Sequence, residues 1–157
     1  GAVWWKRFVT HMSQCFAAGL WEVDNQARNR IPDPKRYVDM KLSIAYVPPS
    51  FDLIELVEHF EVPAAVRASH EYQTLLHEAG HVVVCSNDII SLKRELQQGT
   101  FHNLVIVLHH AHGGTLQNAV GTSPEITRSV ALTAAPAARN AAFSVQGFML
   151  VSGSTWK

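Results

Sequence analysis

Three oxygen-bearing side chains recur at intervals of four residues in the middle of the chain, at Asn87, Ser91 and Glu95. Positions four apart in an α-helix lie on one face and drift by about 40° per step. An amide, a hydroxyl and a carboxylate in such a row suit Mg²⁺, which takes a few protein oxygens and leaves its remaining octahedral positions to water and phosphate. The spacing therefore predicts a Mg²⁺ site formed by these three residues.

A basic pair, Lys93 and Arg94, stands immediately before Glu95. Cationic side chains next to a metal ligand suit a polyanion that the metal also holds, and a guanidinium pairs with phosphate oxygens through two donors. We interpret the segment as a binding site for Mg²⁺-diphosphate. Each residue also has an ordinary interpretation: Asn87 as a helix cap, Ser91 as a serine bonded back to its own helix, and the basic pair as a solvated face.

A second motif lies just before this row on the same expected helix, because His77, Glu78 and His81 fit the HExxH pattern of zinc metallopeptidases. In that pattern two imidazoles on one helical face bind zinc and the glutamate is the general base. Zinc needs a third protein ligand, and Glu95 reaches it only if the helix breaks, since along a continuous helix it lies about 21 Å from His81. Later histidines remain alternative ligands. A zinc metallopeptidase is therefore the alternative to the Mg²⁺ hypothesis.

Composition limits the classes of function further. The chain has 157 residues, of which 47% are hydrophobic and 17% charged, and its formal net charge is zero. Zero net charge gives no electrostatic basis for nucleic-acid binding, and no apolar run approaches the roughly 20 residues of a membrane span. Cys15 and Cys85 lie in apolar helical surroundings, so we expect free buried thiols and a cytoplasmic protein.

The hydrophobic pattern is helical nearly throughout and predicts a single all-α domain over residues 1–157. Asp33 is the expected N-cap of the second helix with Pro34 at its first position, and Pro48 and Pro49 are expected to end that helix. The expected helices are residues 4–28, residues 35–46, a helix capped by Ser50, a short helix after Pro63, residues 69–99, residues 103–110, residues 115–120 and one opened by Ser123-Pro124-Glu125. An alanine-rich stretch at 131–142 follows.

The residues around Asn87 resemble the second metal motif of class I terpene cyclases, especially microbial sesquiterpene synthases. That motif has the form (N/D)D-x-x-S-x-x-(K/R)E, and every fixed position matches, at Asn87, Asp88, Ser91, Arg94 and Glu95. Other family segments resemble this chain in the same order between about Phe8 and Val120. They are Asn29-Arg30-Ile31-Pro32-Asp33 with Tyr37 and Lys41, then Pro49-Ser50-Phe51, the Gly99 turn before His102-Asn103, and Leu116-Gln117-Asn118-Ala119-Val120.

The resemblance implies an all-α antiparallel helical bundle around a deep apolar pocket, with Mg²⁺ ions at its mouth. It implies a prenyl diphosphate as substrate, with farnesyl diphosphate expected, and ionisation of that substrate toward a cyclic sesquiterpene. Asn87, Ser91 and Glu95 would then ligate one Mg²⁺, while Arg94 and Lys41 would contact the diphosphate. Lys41 stands where the family has an arginine.

One departure concerns the family's Asp-rich motif, which holds the other Mg²⁺ ions. No two acidic residues are adjacent anywhere in this sequence, so the motif is absent from it. The chain therefore resembles the C-terminal half of a cyclase, and we expect it to be weak or inactive alone. A homodimer, or a companion chain that supplies the other half, is an expected partner. A non-catalytic helical remnant is the third hypothesis.

Overall fold

The computed structural model describes residues 1–122 and 126, and every element within them is helical. In chain order the helices are α1 (Ala2–Ala27), α2 (Pro34–Ile44), α3 (Val47–Val57), α4 (Ala64–Arg67), α5 (His70–Gln98), α6 (Leu104–His112) and α7 (Leu116–Thr122). The predicted all-α class is confirmed. The predictions for residues 123–125 and for the alanine-rich stretch at 131–142 lie outside the described residues.

Local capping signals place several helix ends where the sequence predicts them. The Asp33 carboxylate accepts a hydrogen bond from the backbone N–H of Arg36 at 3.0 Å, with Pro34 opening α2. Ser69 caps α5 in the same way through the N–H of Tyr72. Gly99 ends α5 with a φ of 70°, a left-handed conformation that glycine adopts without steric cost.

The boundary between α2 and α3 differs from the prediction. The chain turns at Tyr46, whose φ is 56°, and Pro48 and Pro49 lie in the first turn of α3 rather than ending α2. Proline fits there because the first N–H groups of a helix have no acceptor within the helix. Ser50 is therefore not a cap: its hydroxyl donates to the Tyr46 carbonyl at 2.8 Å from inside α3. Both predictions at this boundary were wrong.

The core lies where α2, α5 and α6 meet, and it contains the following residues: Tyr37, Val47, Val84, Cys85, Leu104, Val105, Val107, Leu108, Ala119 and Ile126. Both predicted free thiols are buried, and burial raises the pKa of the Cys15 thiol to about 11. Gly80 allows α5 to approach α2 and α3 closely, because a Cβ there would lie 2.8 Å from a methyl carbon of Leu42. None of the described helices combines the length and hydropathy needed to cross a membrane.

One long side of α1 is apolar and exposed. We call this surface the outer stripe; it consists of Trp5, Val9, Phe16, Leu20 and Val23. The buried positions of the helix, Cys15, Ala18 and Asn25, lie on the opposite side and face the rest of the protein. A helix that is apolar on both sides is typical of the interior of a larger helical assembly.

Candidate metal and diphosphate site

The three predicted oxygen ligands lie on one uninterrupted helix, since α5 runs from His70 to Gln98. Asn87 is half-buried, Ser91 is 5% exposed, and the Glu95 side chain is 14% exposed. At the observed helical period, their spacing places them in a row on one face. The structure therefore keeps the three predicted residues on one helix at the spacing that the prediction requires, and their role as ligands stays a prediction.

Ser91 is bonded back to its own helix. Its hydroxyl donates to the backbone carbonyl of Asn87 at 2.7 Å, as the ordinary interpretation of this serine predicts. A hydroxyl has one proton and two acceptor lone pairs, so this bond leaves the oxygen able to coordinate a cation. The hydrogen bond also places the Oγ atom against the preceding turn of α5, beside the backbone carbonyl of Asn87.

Glu95 is held from the beginning of the next helix. Its Oε2 atom accepts a hydrogen bond from the Nδ2 atom of Asn103 at 2.8 Å, while its Oε1 atom lies 3.8 Å from a guanidinium nitrogen of Arg94. The Arg94 side chain is 67% exposed, so this ion pair is loose and solvated. One carboxylate oxygen is thus held by Asn103, and the other lies near the exposed guanidinium of Arg94.

Asp88, the residue after Asn87, is the centre of a buried polar network. Its Oδ1 atom lies 2.7 Å from the ammonium of Lys41, and its Oδ2 atom accepts from the backbone N–H of Leu104 at 2.8 Å. The Tyr37 hydroxyl lies 2.8 Å from the same Oδ2 and 2.9 Å from the carbonyl of His102, so its single proton is shared between them. The network joins α2, α5 and the start of α6.

Burial sets the protonation of this network. Desolvation raises the pKa of Asp88, an effect that the positive charge of Lys41 opposes. Desolvation and the Asp88 charge hold the pKa of Tyr37 well above its usual value, so the hydroxyl stays a donor. The Lys41 side chain is 10% exposed and also lies 5.5 Å from the Tyr37 ring centroid. The predicted diphosphate contact is thus a residue of the interior, already paired with Asp88.

Sequence reasoning missed a carboxylate on α1 that lies near this network. Burial raises the pKa of Glu22, and the charges of Glu95 and Asp88 add to that effect while Lys41 opposes it. Its Oε1 atom lies 3.9 Å from the Nδ1 atom of His102. No local pattern around position 22 indicates that Glu22 lies beside the buried network, because its position depends on the packing of α1 against the network.

His102 is enclosed among aromatic side chains. Its side chain is 1% exposed, and its ring centroid lies 5.4 Å from that of Trp21 and 5.3 Å from that of Phe101. Neither ring nitrogen has a hydrogen-bond partner among the described residues. Burial, together with the charge of Lys41, lowers the pKa of His102 to about 4, so the imidazole is neutral near pH 7.

The zinc hypothesis finds no complete ligand set in the part of the chain that the structure describes. The rings of His77 and His81 are close, with centroids 4.2 Å apart, and His77 is largely exposed. However, no group of three His, Cys, Asp or Glu side chains within residues 1–122 and 126 could hold a metal ion. Because α5 does not break, Glu95 cannot approach His81. The oxygen donors on α5 instead fit a hard cation, since amide, hydroxyl and carboxylate are the ligands that Mg²⁺ prefers.

A separate charged cluster joins α1, α3 and α4, away from the oxygen donors of α5. Arg7 bridges Asp52 at 2.5 Å and Glu55 at 2.8 Å, while His11 contacts Asp52 at 2.6 Å and Arg67 contacts Glu55 at 2.9 Å. A cavity beside the cluster is lined partly by these residues and by His77, but none of the three predicted Mg²⁺ ligands lines it. Both carboxylates are buried and fully paired, so the cluster connects these helices, and removal of one partner would leave a buried charge without compensation.

An all-helical chain that carries this row of oxygen donors on one long helix has the arrangement expected of the metal-binding part of a class I terpenoid synthase. The chain belongs to the terpene synthase family: the family model described as terpene synthase family 2, C-terminal metal binding, matches residues 1–129. The resemblance that the motifs predicted is thereby confirmed.

Curated relatives agree with this assignment. The chain is 35% identical over 117 residues to "(+)-T-muurolol synthase ((2E,6E)-farnesyl diphosphate cyclizing)" of Roseiflexus castenholzii, covering 74% of this chain and 36% of the relative. It is 33% identical to (-)-delta-cadinene synthase of Streptomyces clavuligerus, covering 70% of this chain and 34% of the relative. The chain thus spans about a third of the length of these relatives.

Solved structures show the same fold. The linalool/nerolidol synthase of Streptomyces clavuligerus superposes with a TM-score of 0.73 at 24% identity, over 98% of this chain and 48% of that one. An α-eudesmol synthase superposes with a TM-score of 0.69, over 48% of its own length. The fold is therefore that of class I terpene synthases, and the chain corresponds to about half of it.

Proposed function

We propose that this chain is the C-terminal, metal-binding part of a sesquiterpene cyclase, a carbon–oxygen lyase that ionises a prenyl diphosphate. Farnesyl diphosphate is the expected substrate and a cyclic sesquiterpene the expected product. The observation that carries this proposal is the row of Asn87, Ser91 and Glu95 on the unbroken helix α5. Membership of the terpene synthase family supports the same reaction class.

Asn87, Ser91 and Glu95 would hold one Mg²⁺ through an amide oxygen, a hydroxyl and a carboxylate oxygen. When bound, the ion would supply the positive charge that stabilises the departing diphosphate. Arg94, exposed on the adjacent face, can turn its guanidinium from Glu95 to diphosphate oxygens and bind two of them at once. This side chain therefore neutralises the leaving group from the protein side.

Lys41 is the second proposed contact to the diphosphate. Its ammonium has three donors, of which Asp88 takes one, so further donors are available to a phosphate oxygen. Lysine acts there as a point charge and lacks the planar fork of the arginine that the family has at this place. Asp88 would fix the position of that charge.

The rest of the site would come from another part of the fold. The sequence contains no adjacent pair of acidic residues, and the chain spans about a third of the length of its curated relatives. The outer stripe of α1 offers the apolar surface on which further helices would pack. We therefore propose that an Asp-rich helix on a companion segment completes the metal cluster, and that this chain alone has little or no turnover.

Calorimetric titration of the chain with Mg²⁺ in the presence of inorganic diphosphate tests the proposal. The variant Asn87→Ala/Glu95→Ala is expected to lose metal-dependent diphosphate binding, because two of the three ligands are removed. Glu71→Ala is the matched control, since it removes an exposed carboxylate from the first turn of the same helix. Binding retained in the double variant refutes the site, and stoichiometric zinc that His77→Ala removes supports the metallopeptidase instead. A wild-type chain that binds no metal supports the remnant hypothesis.

A further inference from the structure

The side-chain amide of Asn103 is completely buried, and each of its polar atoms is used. Its Oδ1 atom accepts from the backbone N–H of Val105 at 2.9 Å, which makes it the N-cap of α6. Its Nδ2 atom donates to the backbone carbonyl of Asp88 at 2.6 Å and to the Oε2 atom of Glu95 at 2.8 Å. Only one orientation of the amide satisfies an N–H donor and two oxygen acceptors, so the network fixes it.

This arrangement connects two turns of α5 to the beginning of α6. Asp88 follows the first proposed metal ligand, and Glu95 is the last one, near the end of α5 where the chain turns at Gly99. A glutamate at such a position samples several rotamers unless a partner selects one, and ordering it costs free energy. Asn103 selects one rotamer before any ligand arrives, and it does so without using the Oε1 atom.

We propose that Asn103 is a positioning residue of the metal site, which holds the Glu95 carboxylate in the orientation that an ion needs. The proposal rests on the function proposed above, in which Glu95 is a ligand. Because Asn103 contacts Glu95 and not the ion, it acts through the carboxylate. Residues that hydrogen-bond to a metal ligand, rather than to the metal itself, typically change the affinity for the metal by a factor of about 10 to 100 when they are removed.

The cap and the positioning role are separable by substitution. In Asn103→Ser a hydroxyl still caps α6, since serine is among the preferred N-cap residues, but the shorter side chain lacks the donor that reaches Glu95. Asn103→Asp also keeps a capping oxygen, yet it turns a second carboxylate toward Glu95, and two like charges repel. A purely structural role predicts small effects on metal binding in both variants.

The test is a Mg²⁺ titration in the presence of inorganic diphosphate, alongside a thermal unfolding curve for each variant of the full chain. We expect Asn103→Ser to weaken Mg²⁺ binding about tenfold or more and Asn103→Asp to weaken it further. Ser69→Ala is the control, because it removes the N-cap at the other end of α5 and lowers stability without touching Glu95. Its metal affinity is expected to match that of the wild type.

Three results would overturn the proposal, and they are distinguishable. If the wild type binds Mg²⁺-diphosphate and Asn103→Ser binds it equally well, Asn103 is a cap alone and the metal site stands. If the wild type binds no metal, the proposed function fails and the positioning role fails with it. A loss of affinity in Ser69→Ala equal to that in Asn103→Ser would assign the effect to stability.

Discussion

The ammonium of Lys41 lies 2.7 Å from the carboxylate of Asp88, and both side chains are almost completely buried. Such a pair connects α2 to α5 directly beside the first proposed metal ligand. Removing one partner of a buried ion pair leaves the other charge without compensation, which is far more costly than losing an exposed pair. The same helix offers that comparison, because Lys35 and Asp39 form an exposed ion pair at 2.9 Å.

Lys41→Met is therefore expected to lower the free energy of unfolding by about 3 to 5 kcal/mol, since a buried Asp88 loses its counter-ion. Lys35→Met, the matched control on α2, is expected to cost less than about 0.5 kcal/mol because its partner stays solvated. Urea unfolding at pH 7 measures both. Equal losses in the two variants would contradict the structural importance of the buried pair.

The pH dependence of stability should carry the signature of His102. Its pKa is about 4 in the folded protein and 6.5 in the unfolded chain, so between these values the unfolded state binds more protons. The contribution of the neutral His102 to the free energy of unfolding is therefore fully present above pH 6.5. It is lost as the pH falls toward 4, by as much as about 3 kcal/mol. His102→Phe should remove this slope, as measured by urea unfolding at several pH values.

Two other groups titrate in the opposite sense, and the comparison must allow for them. Burial raises the pKa of Asp88 and of Glu22, so their ionisation costs stability as the pH rises above their ordinary values. Both remain in His102→Phe, and the difference between wild type and variant isolates the imidazole. His110→Gln, which removes an exposed histidine, should leave the slope unchanged. An unchanged dependence of stability on pH in His102→Phe would contradict the prediction.

The outer stripe of α1 should govern association rather than the stability of the chain itself. Leu20→Glu/Val23→Glu places charge on two exposed positions, so the free energy of unfolding should change by no more than about 0.5 kcal/mol per site. Any self-association, or capture of a companion segment, should be lost because charge in an apolar interface is left unpaired. Analytical ultracentrifugation across a concentration series measures the change.

Thr10→Glu is the control for the outer stripe, since it adds charge to an exposed position of α1 outside that surface. It should leave the sedimentation behaviour of the wild type unchanged. If the double variant and the wild type sediment identically as monomers, the stripe does not mediate a homodimer. A companion segment that still binds the double variant would remove the stripe from the proposed interface.

Helix boundaries were predictable where a single side chain determines them. Asp33 and Ser69 cap through bonds to residues three positions later, and Gly99 ends a helix through its own backbone conformation. The prolines at positions 48 and 49 were misread because proline also fits the first turn of a helix, and the sequence alone does not distinguish the two uses.

The candidate site likewise has one part that the sequence predicts and another that only the folded structure shows. The row of Asn87, Ser91 and Glu95 was predictable because helical periodicity alone places the three on one face, although their roles as ligands stay a prediction. The contacts that surround the row were not predictable from spacing. Lys41 and Asp88 are 47 positions apart along the chain, and Glu22 is farther still from Glu95, so only packing brings them together.

Gly80 and Glu95 lie on the same straight helix, about 22 Å apart along its axis. Any side chain at Gly80 would press α5 away from Leu42 and so change the tilt of the helix. Over that length a tilt of about 3° displaces the far carboxylate by roughly 1 Å, a shift that can cost a catalytic site much of its rate. A side chain added at Gly80 is therefore expected to disturb the position of Glu95 about four helical turns away, although the two residues are not in contact.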